Sequence, residues 1–148
     1  MFSVKAGVKA GAALGKWLRV EGAAANLKTL DLRINGRLGD EGAAAIADGL
    51  AAGGVALEQL SLGKTDAGPS AAPVLGKWLT VDGAAANLNR LDLDNHDLGD
   101  EGVAAIVNGL AAGGGALEKL YLERTKAGLK AAAALVKWLG VEDARRPA

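Results

Sequence analysis

The chain repeats itself with a period of about 60 residues, and this period limits the folds open to it. A segment ending in Lys-Trp-Leu occurs three times and places Trp17, Trp78 and Trp138 at intervals of 61 and 60 residues. A fixed period of this kind is typical of an array in which each unit packs against its neighbours. The 148 residues are enough for one domain with a core of its own. The sequence therefore predicts a stack of similar units.

A shorter repeat lies inside the longer one. The motif Leu-x-x-Leu-x-Leu starts at Leu27, Leu57, Leu88 and Leu117, at intervals of 30, 31 and 29 residues. Its last two leucines are two residues apart, which is the spacing of a strand. An Ala-rich segment with apolar pairs four residues apart follows each motif and predicts a helix. We predict one domain over 1–148, with an N-terminal half-repeat at 1–26, repeats starting near 27, 57, 88 and 117, and a frayed tail at 141–148.

This alternation of strand and helix resembles the leucine-rich repeat family, and within it the ribonuclease-inhibitor-like subtype. The resemblance covers essentially the whole chain and includes the segment Leu38–Leu50 that follows the first motif. It implies an α/β solenoid in a horseshoe arc, with parallel strands on the concave face and helices on the convex face. It also implies a non-catalytic scaffold that binds another protein. Ribonuclease inhibition is not implied, because that family member is Cys-rich and much longer, whereas this chain has no Cys.

The family pattern places an asparagine three residues after the last leucine of the motif, where its amide links neighbouring turns. In this chain the four corresponding positions hold Asn35, Thr65, His96 and Thr125. A threonine hydroxyl forms fewer hydrogen bonds than an asparagine amide. We therefore expect an incomplete ladder of side-chain hydrogen bonds.

Large and small residues alternate beside the last apolar residue of successive predicted helices. The series is Trp17, Gly49, Trp78, Gly109 and Trp138. We predict that each indole fills space left by the glycine of a neighbouring helix, because tryptophan in every helix would overpack the stack. An exposed aromatic stripe for binding is the alternative interpretation. The glycine complement favours packing, so these five residues are assigned a structural role.

Residues between the leucines of each motif are predicted to face the concave side of the arc. They differ most between otherwise similar units, which fits both a ligand surface and unconstrained solvated positions. We predict a binding face made of Asp31, Arg33, Arg90, Asp92, Asp94, Lys119, Tyr121 and Glu123. Its C-terminal half is favoured, since it gathers both charge signs around the only tyrosine, a residue type enriched at binding hot spots.

Composition and motifs argue against several classes of function. Lys+Arg and Asp+Glu balance at 17 each, so we expect no nucleic-acid or membrane partner. The absence of Cys, of a secretory signal and of a membrane-spanning apolar run predicts a cytoplasmic protein. No catalytic motif is present, and we predict neither an enzyme nor a cofactor. Asp92, Asp94 and His96 suggest a metal site only weakly; we expect a solvated acidic patch, with His96 in the ladder or a turn.

The main alternative to a binding scaffold is a structural or engineered, consensus-like array without a ligand. The similarity of the two long units favours this alternative. Neither end of the predicted array shows a polar cap of the kind that solenoids use for solubility. Association of copies through their uncapped ends is therefore a further expectation.

Overall fold

The computed structural model describes residues 7–81, 86–94, 96–113 and 117–145. In these ranges five helices alternate with four short strands. They are α1 (Val8–Leu18), β1 (Thr29–Asp31), α2 (Gly39–Gly53), β2 (Gln59–Ser61), α3 (Ala71–Thr80), β3 (Arg90–Asp92), α4 (Gly99–Gly113), β4 (Lys119–Tyr121) and α5 (Leu129–Arg145). Every strand lies inside one of the predicted leucine motifs, and a helix follows each strand.

The strands form one parallel sheet in the order β1-β2-β3-β4. The middle leucines of the motifs, Leu30, Leu60, Leu91 and Leu120, are paired across all four strands. The helices pack in the same order, each against the next one along the chain. Each strand is joined to the next through one helix, which is the connection that parallel strands require. The predicted α/β solenoid class with parallel strands is confirmed.

The core is a single apolar layer between the sheet and the helices. Leu60 and Leu91 of the two inner strands are fully buried, and so are Leu50 and Leu79 of the helices. Because successive residues of a strand point to opposite faces, burying the leucines leaves the residues between them on the other side of the sheet. This alternation positions the candidate binding face.

The last helix is longer than predicted. The sequence suggests a helix ending near Gly140 and a frayed tail at 141–148, but α5 runs to Arg145. At the end of α2, Gly54 adopts a left-handed backbone conformation with φ of 60° and stops the helix. Gly140 does not adopt such a conformation, so the helix continues through it.

The predicted partnership of tryptophan and glycine is wrong in its mechanism. A Cβ atom on Gly49 would lie 2.8 Å from the Cα atom of Gly15, and one on Gly109 would lie 3.0 Å from that of Gly76. These glycines therefore allow the backbones of paired helices to approach closely, and they are not filled by an indole.

The three tryptophans also differ from one another in burial. Trp78 is fully buried and donates a hydrogen bond of 2.9 Å from Nε1 to the carbonyl oxygen of Val55. Trp138 is nearly buried, whereas Trp17 is 43% exposed. The indole of Trp78 faces the preceding repeat, where it contacts the start of the α2–β2 connection. Trp17 precedes β1, and the described residues provide no preceding repeat to cover it.

Candidate functional site

The predicted binding residues form rows across the sheet on the side opposite to the buried leucines. The first row runs through Thr29, Gln59, Arg90 and Lys119, and the second through Asp31, Ser61, Asp92 and Tyr121. The third row follows directly after the strands and contains Arg33, Gly63, Asp94 and Glu123. Backbone hydrogen bonds continue beside this row, from Ile34 N–H to Gly63 O and from Lys64 N–H to Asp94 O. The eight predicted side chains therefore share one surface.

At the N-terminal end of this surface, Asp31 and Arg33 bind each other. The guanidinium donates hydrogen bonds of 2.9 Å from Nε to Oδ1 and 2.7 Å from Nη2 to Oδ2 of Asp31. This bidentate contact is the main reason that the pKa of Asp31 is lowered and the pKa of Arg33 is raised. Because the two charges neutralise each other locally, this end offers less free charge to a ligand.

A shallow cavity of about 220 Å³ opens in the middle of the surface. Its lining consists of Arg33, Ile34, Gly63, Lys64, Asp92 and Asp94. A Cβ atom on Gly63 would lie 3.3 Å from Oδ1 of Asp92 and 3.7 Å from Cγ of Arg33. The missing side chain of Gly63 therefore creates the cavity between a guanidinium on one strand and carboxylates on another.

At the C-terminal end, Arg90 lies over the ring of Tyr121, with 5.1 Å from Cζ to the ring centroid. This distance fits a cation–π contact, which holds both side chains in place. Nε of Arg90 is buried and has no hydrogen-bond partner in the described part of the chain. The sequence predicted that these residues share a face, but it could not predict their stacking.

The acidic residues of this surface organise the backbone. Oδ1 of Asp92 accepts the N–H of Asp94 at 3.1 Å, and Oδ1 of Asp94 accepts the N–H of Glu123 at 2.7 Å. Asp92 is only 7% exposed, so the prediction of a solvated acidic patch is wrong for this residue. Among the residues that the structure describes, no group of three or more His, Asp or Glu side chains could hold a metal ion.

The four ladder positions, Asn35, Thr65, His96 and Thr125, are all buried. Asn35 Nδ2 donates to Leu32 O at 2.8 Å, and the hydroxyls of Thr65 and Thr125 donate to the carbonyl oxygens three residues before them. Three kinds of side chain therefore occupy the ladder positions, and the hydroxyls of Thr65 and Thr125 bind carbonyl oxygens of their own turns.

His96 reaches from its own repeat to the preceding one. Its Nε2 accepts the backbone N–H of Thr65 at 3.2 Å, and the side chain is 2% exposed. Burial is the largest cause of the lowered pKa of His96, and it outweighs the Leu62 carbonyl, which favours the protonated ring and raises the pKa. A neutral imidazole in the ladder position links two repeats, and the second prediction for His96, a solvated turn, is wrong.

Two aspartates in the first turns of α2 and α4 act across repeats. Oδ1 of Asp40 accepts the N–H groups of Gly68 and Ala71, both at 2.8 Å, and Oδ2 accepts that of Ser70 at 3.0 Å. Asp40 at the start of α2 therefore caps α3. In the second long unit, Asp100 binds three N–H groups at the start of α5 in the same way. The sequence contains a signal for this contact. In both long units, the glycine of an Ala-Gly pair follows the aspartate of a Gly-Asp pair by 28 residues.

These contacts shift the titration of both aspartates. Partial burial alone would raise the pKa of Asp40, but the N–H groups of Ala71, Gly68 and Ser70 outweigh it and lower the pKa. For Asp100 the largest cause of the lowered pKa is the N–H of Ala131. Gly68 leaves room for the carboxylate, since a Cβ atom there would lie 3.3 Å from Cγ of Asp40.

No helix within the described ranges is both long and apolar enough to cross a membrane.

Comparison with protein families supports the architecture. The family model described as Leucine Rich repeat matches residues 23–47 and 84–107. Each match begins before a strand and ends inside the following helix, in the first half of a long unit. A comparison with curated proteins found no match. The two matched repeats support a leucine-rich repeat family, whose members generally mediate protein–protein interaction and are typically non-catalytic.

Proposed function

We propose that this chain is a non-catalytic scaffold that binds another protein through the concave strand face of its leucine-rich repeats. The observation that carries the proposal is the row structure of the sheet, in which unlike polar side chains lie side by side on one surface. The leucines between them are committed to the core. A surface of this kind can vary its side chains without changing the fold, which is what recognition of a particular protein requires.

Within that face, the C-terminal half is the proposed centre of binding. Tyr121 and Arg90 belong to residue types that are enriched at hot spots, and their contact at 5.1 Å limits the side-chain freedom lost on binding. Lys119 and Glu123 flank them with opposite charges. The N-terminal half contributes less, because Asp31 and Arg33 already neutralise each other.

The finer family assignment and the cellular compartment belong to this proposal. Each described unit combines a strand with an α-helix of ten or more residues, which favours the ribonuclease-inhibitor-like subtype of the repeat. The lack of Cys fits a protein of the reducing cytoplasm.

Affinity capture with the purified 148-residue chain tests the binding face. The wild type is compared with a Tyr121→Ala/Arg90→Ala variant and with a Lys77→Ala control, whose changed residue is exposed on α3. We expect proteins captured by the wild type and the control to be lost with the double variant, by tenfold or more in recovered amount. Circular dichroism checks that all three proteins fold.

Two results would contradict the proposal. Capture that survives the double variant but is lost with Lys77→Ala would move binding to the helix face. No specific capture by any of the three proteins would favour the structural array without a ligand.

A further inference from the structure

The sheet repeats one pattern of hydrogen bonds at each contact between neighbouring strands. At the start of each pair, the first residue of the later strand donates to the residue just before the earlier strand. The N–H of Gln59 donates to Lys28 O, that of Arg90 to Glu58 O and that of Lys119 to Asn89 O. Just after them, the donors point the other way, from Leu32, Leu62 and Leu93 to the carbonyl oxygens of Ser61, Asp92 and Tyr121. In addition to the hydrogen bonds within the strands, each strand therefore offers an acceptor just before it and a donor just after it to the strand that follows.

The corresponding groups of the last strand are the carbonyl oxygen of Glu118 and the N–H of Leu122. β4 is an edge of the sheet, and no further strand lies beside it in the ranges that the structure describes. An edge strand with free backbone groups is a template for another strand. The positions of both groups are defined by the same pattern that three internal contacts already use.

Apolar side chains next to this edge also lack the cover that their counterparts have. Leu91 of β3 and Leu93 just after it are fully buried, whereas Leu120 of β4 and Leu122 just after it are only partly buried. Leu139 of α5 is 59% exposed, although the equivalent Leu79 of α3 is fully buried. The edge of β4 and the exposed side of α5 therefore form the two sides of an open slot.

A folded second copy of the chain does not fit this slot through its own first strand. In the array, a single helix connects each strand to the next, and α5 already takes that position after β4. In a second copy, α1 precedes β1 and would require the same space. A closely packed helix does not fit either, because α5 has Val136 where α1 and α3 have Gly15 and Gly76, the glycines that admit a neighbouring backbone.

We propose that the edge of β4 binds an extended segment of another protein with the pattern Leu-x-x-Leu-x-Leu, aligned parallel to β4. Three internal contacts show how a strand with this pattern pairs in parallel with the strand before it. Residues 26–35 of the chain supply a suitable probe, because in the common register Thr29 would lie beside Lys119, and Arg33 beside Glu123. Residues 87–96 would instead bring Arg90 beside Lys119 and Asp94 beside Glu123, which are like charges.

In the experiment, an acetylated and amidated peptide of residues 26–35 is titrated into the 148-residue chain, and NMR measures binding and amide exchange. We expect saturable binding and at least a tenfold slowing of amide exchange at Leu122, since this N–H gains an acceptor. A peptide of residues 87–96 should bind several-fold more weakly. Binding should change less than threefold in a Lys77→Ala variant, because Lys77 is exposed on α3 and not at the edge of β4.

N-methylated peptides provide a matched pair of controls. Methylation at Thr29 removes the N–H that would donate to Glu118 O, and we expect a loss of binding of tenfold or more. Methylation at Leu32 alters an N–H that points away from β4, as the internal contact of Leu62 with Asp92 shows, and should leave binding within threefold.

Three outcomes would overturn the proposal. They are equal binding of both methylated peptides, saturable binding without protection of Leu122, and protection of Leu122 that increases with protein concentration when no peptide is present. The last outcome would assign the edge to a second copy. None of these outcomes decides the concave-face proposal, because that test depends on Tyr121 and Arg90.

Discussion

Asp40 and Asp100 connect neighbouring repeats through single side chains. Each lies in the first turn of one helix. Its carboxylate accepts three backbone N–H groups at the start of the following helix. The first N–H groups of a helix have no partner within the helix, so a carboxylate from outside stabilises that end. The same residue also lies where its own helix dipole favours a negative charge. The carboxylate therefore stabilises two helices, by capping the following one and by interacting with the dipole of its own.

Replacing Asp40 with asparagine separates these two effects. An amide oxygen keeps part of the hydrogen bonding but loses the charge, and we expect Asp40→Asn to lower the free energy of unfolding by about 0.5–2 kcal/mol, the range for losing a helix cap. The control is Glu41→Gln, which removes a neighbouring negative charge from the same turn without touching α3. Urea melts measure both variants, and an equal loss for the two would attribute the effect to the dipole of α2.

The lowered pKa values predict an acid-sensitive fold. An aspartate whose pKa is depressed in the folded state stabilises the fold above its unfolded pKa of about 3.9 and loses this contribution as the pH falls through the folded value. The stability difference between wild type and Asp40→Asn should therefore be constant near neutral pH and shrink as the pH falls below about 4. Urea melts from pH 7 to 3 measure this difference, and one that grows on acidification would contradict the assignment.

Trp78 is the tryptophan whose removal should cost most. Its side chain is fully buried and hydrogen-bonded to Val55 O, so Trp78→Ala should destabilise the fold by roughly 3–5 kcal/mol, the range for a core aromatic residue. Trp17→Ala is the matched control, since this indole is 43% exposed, and the expected loss is below about 1 kcal/mol. A loss below about 1 kcal/mol for Trp78→Ala in urea melts would remove its packing role.

At the scale of elements, pairs of helices differ in how closely they approach. In the pairs α1–α2 and α3–α4, glycines face backbone atoms of the partner helix, Gly49 against Gly15 and Gly109 against Gly76. At the next boundary along the stack, the bulky Trp78 of α3 instead donates to Val55 O, just beyond the end of α2. Close and wide contacts therefore alternate along the stack, and the two-repeat period of the sequence follows from this alternation.

Gly49→Ala tests the close contact. Alanine is the better helix former by about 1 kcal/mol, but its Cβ would lie 2.8 Å from Gly15 Cα, and backbone atoms cannot rotate away. We expect net destabilisation of about 1–3 kcal/mol, as for other overpacked sites. Gly140→Ala is the control, because no atom lies within 4 Å of its Cβ position, and this change should be neutral or stabilising. Thermal or urea melts that show Gly49→Ala to be stabilising would contradict the close contact.

The sequence predicted the elements well because their signals are local. Leucines two residues apart indicate a strand and apolar pairs four apart indicate a helix, so each leucine motif contains a strand and a helix follows it, although α5 continues past its predicted end. Contacts between repeats were harder to predict. Gly49 was matched with an indole because the alignment compares positions along helices, whereas its actual neighbour, Gly15, lies two residues before Trp17 on α1. The stacking of Arg90 on Tyr121 depends on side-chain rotamers, which residue spacing does not determine.

At the scale of the whole molecule, each helix contacts only its neighbours in the chain order, within the part of the chain that the structure describes. The stability of such an array is close to a sum of terms for units and for contacts between neighbours. Inner helices have a packed helix on both sides, whereas α1 and α5 have one described helix neighbour each. The exposed residues Trp17 and Leu139 mark this difference at the two ends.

Stability should therefore decrease from the middle of the array to its ends. We expect backbone amides of α1 and α5 to exchange with solvent at least tenfold faster than those of α3, because opening an end breaks one helix contact and opening α3 breaks two. Hydrogen exchange followed by NMR at two pH values measures these rates and checks that they report equilibrium opening. The control is the Trp17→Ala variant, which should leave the rates of α3 unchanged because its side chain is at one end. Equal rates in all five helices would mean that the chain opens only as a whole, and the additive description of the stack would then fail.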